Sequence, residues 1–205
     1  MAVVSMELVK KLREMSGAGM MDCKKALEEA DGDIEKAFTI LREKGIAKAA
    51  KRTGRVTGQG VVESYLHSTG KDYPPQLGVL VEVNCETDFV AKGPDFRKLA
   101  KELALQIGAN PLTRWVSRDD VPDEVLVEER GVYKRKAEQD GKPAKAIEKM
   151  IEGQVENFLK ETCLLEQAYF REPKHTVKDL IAENISKLQE NITVRRFARF
   201  NIKES

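Results

Sequence analysis

Apolar residues recur at helical spacing through the first 45 residues and at strand spacing soon afterwards. Leu8, Val9 and Leu12 share one face of a first helix that Ser5 can cap, and the close pair Gly17 and Gly19 breaks it. Cys23, Ala26, Leu27 and Ala30 line a second helix, with Asp22 as its expected cap. Ile34, Ala37, Phe38 and Leu41 line a third, for which Gly45 reads as the stop. Three helices of about ten residues make a small bundle of marginal stability. Residues 46–60 carry Lys48, Lys51, Arg52 and Arg55 with no acid, and their glycines point to a helical start fraying into a linker. The expected organisation is a bundle over residues 1–45, a basic linker over 46–60 and an α+β core over 61–205.

Within that core, residues 61–66 and 78–84 read as two strands, with Val79, Val81 and Val83 on one face, and together they predict an antiparallel hairpin. A turn-rich loop over residues 68–75 joins them. Pro94 and Asp95 open a helix that buries Phe96, Leu99, Ala100, Leu103 and Ile107. Residues 122–140 form a charged helix with Val125, Val132 and Tyr133 as a thin apolar stripe. A further helix from Pro143 turns Ile147, Met150, Ile151, Val155 and Phe158 inward, and Val177, Leu180, Ile181, Ile185 and Leu188 mark the last. Residues 191–202 close the chain as a strand in which Arg196 and Phe197 interrupt the alternation, so one face could be an interface.

Composition narrows the chemistry. Of 205 residues, 41% are hydrophobic and 34% charged, enough for a packed core under a soluble surface. Lys plus Arg number 35 against 34 for Asp plus Glu, a balance that argues against a dedicated nucleic-acid binder. No apolar run approaches the ~20 residues that span a bilayer, and the first residues lack a secretory signal, so a cytoplasmic, non-membrane protein is expected. Cys23, Cys85 and Cys163 form no CxxC pair and read as reduced thiols. Two histidines, His67 and His175, leave little from which to build a metal site or a triad, so neither metal, cofactor nor covalent catalysis is expected.

Three segments remain as candidate interaction sites. Met20 and Met21 follow two glycines at a helix start, where they could plug the bundle core or leave at least one thioether to dock on a partner, flanked by Leu12, Arg13 and Lys24. Residues 84–90 run Asn-Cys-Glu-Thr-Asp-Phe-Val directly after a strand. No base is paired with a nucleophile there, and Cys85 reads as an inert buried thiol. From spacing alone Phe89 reads as ordinary core, although a phenyl beside an acid on a turn could instead wedge into a partner's cleft. The basic run at 44–55 could touch phosphates, but it has no interleaved aromatics and reads as a solvated face. A wedge entering a partner's cleft, a plain adaptor binding through Met20 and Met21, and an RNA binder acting through Lys48, Lys51, Arg52 and Arg55 all stay open on these residues.

The runs LVKKLRE (8–14) and GAGMMDCKKAL (17–27), then VNCETDFVA (83–91) and NITVRRF (191–197), resemble signatures of the translation elongation factor Ts family over the whole chain. The resemblance implies a guanine-nucleotide exchange factor for elongation factor Tu, bound in its GDP and nucleotide-free states. It also implies an α+β fold, with a three-helix bundle like ubiquitin-associated domains followed by helices packed on a small antiparallel sheet. Carried over, Asp88 and Phe89, with Thr87 and Val90, form a wedge that disturbs the partner's magnesium and phosphate site. Arg13, Met20, Met21 and Lys24, with Leu12, grip another surface of the same partner. Ser16 stands where the family usually has Thr, and the hairpin loop is long. The chain reads as lacking the second subdomain and the protruding helical pair of longer members, with a homodimer expected to supply the missing surface. Ala198 stands where a cysteine would be needed for a covalent link, so that dimer is expected to be non-covalent.

Overall fold

The computed structural model describes residues 4–70, 72–141 and 143–202; Lys71, in the hairpin loop, lies outside them. Among the described residues are eight α-helices and five strands, an α+β fold. They gather into two compact units. The first joins residues 1–61, 83–99 and 179–193; the second joins 62–82, 100–178 and 194–205.

In the first unit, α1 (Met6–Ser16) is capped by Ser5, whose hydroxyl accepts from Leu8 N, and ends on Gly17 in the left-handed conformation. α2 (Met20–Glu29) starts three residues earlier than the sequence suggests. Gly19 is its cap, and Asp22 sits in the first turn, where its charge complements the helix dipole. α3 (Ile34–Ala50) is capped by Asp33, which accepts from Glu35 N and Lys36 N. Val9, Leu12, Cys23, Ala26, Leu27, Ala37 and Leu41 close the bundle core.

Gly45 is not a stop. It lies buried inside α3, where a Cβ would come 3.4 Å from Ser186. The glycine therefore serves close helix packing, and the first five residues of the expected linker are helical. Arg42 on α3 reaches Asp179 (3.0 Å) and Glu183 (3.6 Å), both on α8 (Val177–Leu188).

A three-stranded sheet has the order β1 (Gln59–His67), β2 (Leu77–Cys85), β5 (Ile192–Asn201), so the first and last strands are its edges. Leu77, Val79, Val81, Val83 and Cys85 alternate into the core. At Gly60 the backbones pass so closely that a Cβ would lie 2.2 Å from Val83 O.

β2 leads into α4 (Asp88–Lys92) and then α5 (Pro94–Ala109), which buries Phe96, Leu99, Ala100, Leu103 and Ile107. In the second unit, α6 (Asp123–Gln139) and α7 (Ala144–Thr162) pack on one another around Val121, Val155, Leu159 and Cys163, with Trp115 and Tyr133 against them. Both helices lie where the sequence predicts them. Met150 is exposed on α7 rather than turned inward.

A short antiparallel hairpin, β3 (Ala168–Tyr169) with β4 (Glu172–Thr176), has no counterpart among the predicted elements. Its strands are brief and largely polar. Buried amides hold it: Gln106 Nε2 donates to Gln167 Oε1 (3.0 Å), and Phe170 N donates to Gln106 Oε1 (2.9 Å).

Candidate functional site: an exposed aromatic turn and a methionine-bearing bundle

The turn after β2 is built from local hydrogen-bond chemistry. Cys85 closes the strand with its side chain buried, and its thiol donates to Thr87 O (3.2 Å). Burial pushes that thiol up to about 11, so it is protonated and inert near neutrality. Thr87 has extended backbone angles, and its hydroxyl accepts from Val90 N, capping α4. Only Ala91 of this five-residue helix is buried.

Phe89 is 83% exposed. The reading of Phe89 as core is overturned because the first turn of α4 carries the ring outward while Ala91 takes the inward position. Asp88, beside it, is paired with Lys92 (2.6 Å), whose hydrogen bond holds the carboxyl below its ordinary range. Thr87 is exposed and Val90 half-buried. The result is a phenyl ring and an ionised carboxylate standing side by side on a capped turn.

On the bundle, Met21 is 64% exposed, whereas Met20 packs partly against the core. Met21 and Lys24 lie three residues apart on one face of α2, and Lys24 pairs with Glu28 at 3.8 Å. Arg13 is exposed on α1. Leu12 must be struck from the candidate contacts: its side chain is fully buried in the bundle core. The apolar stripe that placed Leu12 beside the patch is the stripe that packs it inside.

One residue that sequence reasoning passed over, Glu190, stands beneath the aromatic turn. Glu190 Oε2 accepts from Glu86 N (3.1 Å) and Thr87 N (3.0 Å). No local pattern signals a pairing across some hundred residues of chain. Among the described residues no group of three His, Cys, Asp or Glu side chains could hold a metal ion, and no helix is long and apolar enough to cross a membrane.

The fold thus carries an exposed phenyl ring beside a carboxylate on one turn and an exposed thioether on the bundle. The family profile described as Elongation factor TS matches residues 4–204. The chain is 53% identical over 202 residues to elongation factor Ts of Carboxydothermus hydrogenoformans, covering 98% of this chain and 90% of that one. Identity to the proteins of the same name from Caldanaerobacter subterraneus subsp. tengcongensis is 56% over 199 residues (97% and 96% covered), and from Coprothermobacter proteolyticus 52% over 201 (98% and 99%). The chain belongs to the elongation factor Ts family, and thus to the translation elongation factors of protein biosynthesis. Membership implies nucleotide exchange on elongation factor Tu.

Proposed function

We propose that this protein releases GDP from elongation factor Tu in the cytoplasm by inserting Asp88 and Phe89 beside the partner's magnesium and phosphate site, so that GTP can bind. No covalent step is involved. The observation that carries this reading is the exposure of Phe89 on a capped turn next to an ionised Asp88.

Bound GDP is held by magnesium and a cradle of amide donors, so a wedge that displaces either removes charge-assisted contacts. Arg13, Met21 and Lys24, with the half-buried Met20, supply a second hold on the same partner. The factor binds the GDP-bound form and is left on the nucleotide-free one. The test is release of labelled GDP from elongation factor Tu. Replacing both Asp88 and Phe89 by Ala abolishes most of the acceleration while circular dichroism stays unchanged; a double variant as fast as wild type refutes the wedge.

The second unit supports a non-covalent homodimer. Val62, Leu66, Leu80, Phe200 and Ile202 are all exposed large apolar residues of the sheet strands and their ends. All three cysteines are buried and free. Sedimentation of Phe200→Glu against wild type tests it: the variant sediments as a monomer, and an unchanged dimer places the interface elsewhere.

A further inference from the structure

The turn that bears Phe89 has little means of holding itself. α4 has five residues, far below the length at which a helix is stable alone. An exposed ring on such a turn would fray, and binding would then have to order it at a cost in affinity. The structure supplies an external hold. Glu190 Oε2 accepts from the backbone N–H groups of Glu86 (3.1 Å) and Thr87 (3.0 Å), and Oε1 accepts from the Thr87 hydroxyl (2.5 Å). That same hydroxyl caps α4 at Val90 N. The contact is returned: Glu86 Oε1 accepts from Asn191 N at 2.6 Å. Each carboxylate thus grips the backbone beside the other.

A third strand of chain locks this exchange. Asn191 Nδ2 donates to Arg55 O (2.9 Å), and Arg52 donates to Gln189 Oε1 (3.0 Å). The guanidinium groups of Arg55 and Arg52 lie 3.5 and 3.9 Å from the Glu86 carboxylate and offset the repulsion between two acids held close together. Gln189 adopts a positive φ of 61°, uncommon for a residue other than glycine. It turns the chain sharply just before Glu190. The basic stretch that the sequence offered as a phosphate-binding run is partly spent here, on the protein's own carboxylate.

We infer that Glu86 and Glu190 form a reciprocal carboxylate clasp that pre-organises the Asp88–Phe89 turn for insertion, with Glu190 as the principal positioning residue. The inference rests on the wedge reading above. Glu190 makes none of the proposed contacts with the partner; it acts through Thr87 and the cap of α4. Truncating it leaves Phe89 in the sequence but unheld.

The experiment is a double-mutant cycle on the full chain, read as release of labelled GDP from elongation factor Tu. Glu190→Ala slows release about tenfold, the scale on which charge-assisted hydrogen bonds count. Glu190→Gln keeps most of the activity, because a carboxamide oxygen still accepts from both N–H groups. In a Phe89→Ala background, Glu190→Ala adds less than a further twofold, since the group it positions has gone. Amide hydrogen exchange at Glu86 and Thr87 quickens in Glu190→Ala and not in Glu190→Gln. The clasp is overturned if Glu190→Ala exchanges within twofold of wild type while Phe89→Ala is slow, or if it imposes the same factor in both backgrounds. An unchanged rate for Phe89→Ala alone instead removes the wedge reading, and the clasp with it. If Glu190→Ala loses its circular dichroism signal, Glu190→Asp, which withdraws the charge by one methylene, carries the same expectations and the same refutations.

Discussion

Truncating Phe89 to Ala separates binding energy from folding energy at one position. The ring is 83% exposed, so its loss removes almost no packing from the free protein. A surface change of that kind alters stability by roughly 0.5 kcal/mol or less. The energy that the ring can supply on insertion is larger. Complete burial of a phenyl side chain is worth about 1.5–3 kcal/mol, and scaling by the exposed fraction leaves about 1.2–2.5 kcal/mol. At 1.36 kcal/mol per decade this is roughly an 8- to 70-fold slower release of GDP. The assay is stopped-flow release of fluorescent GDP from elongation factor Tu, run beside thermal melts of the free factor. A rate within twofold of wild type refutes the wedge. A melting temperature lowered by many degrees refutes the premise that the ring is free, because it would then be holding its own fold together.

Leu12→Ala reverses the pattern: removing a fully buried side chain from so small a core costs about 2–5 kcal/mol, seen as a lower denaturation midpoint, and an unchanged midpoint contradicts its burial. Gly60→Ala sets a Cβ against Val83 O and forces the two strands apart, at a cost of about 1–3 kcal/mol in urea unfolding; a neutral result shows that the strands can part freely. Glu86 titrates below its ordinary value of 4.5, first because Asn191 N donates to it, with Arg55 and Arg52 adding charge and Glu190 facing it from the same cluster. The stability it contributes is therefore present above that value and lost as pH falls through the lower, folded one. The acid limb of the stability curve below pH 4.5 is shallower in Glu86→Gln, and identical limbs refute the assignment.

How far the chain discloses itself depends on the range of the forces involved. The alternating valines of β2 and the spaced apolar residues of α5 each announce their element, because one face must leave water whatever the partner. Gly45 misled because a glycine near a helix end is a common stop, whereas here its missing side chain admits Ser186 from a distant helix. The β3–β4 hairpin was illegible because the buried amides of Gln106 and Gln167, rather than alternating apolar residues, hold it in place. Phe89 sits among residues that read equally well as core. Its direction was decided by the Thr87 cap and by which single residue of a five-residue helix turns inward. Glu190 carried no motif at all, since the amides it binds lie across a loop of about a hundred residues that only folding closes.

On the proposed mechanism these long-range contacts are where exchange acquires its directionality. A factor that weakens nucleotide binding must itself be weakened by nucleotide to the same degree, so a grip too strong would trap the GTPase and one too weak would never dislodge GDP. A single phenyl worth about 1.2–2.5 kcal/mol falls within the range of typical coupling energies of about 1–3 kcal/mol, sufficient to speed release without preventing rebinding. The bundle can add affinity without adding to that coupling if its hold on the partner is indifferent to nucleotide. Arg52 and Arg55, just beyond α3, meet the base of the turn at Glu86, and bundle and turn belong to the same compact unit. Loosening that base by Glu190→Ala should therefore cost exchange rate more than it costs affinity for the GDP-bound partner. The reverse order would mean that the turn serves to dock the factor rather than to displace the nucleotide.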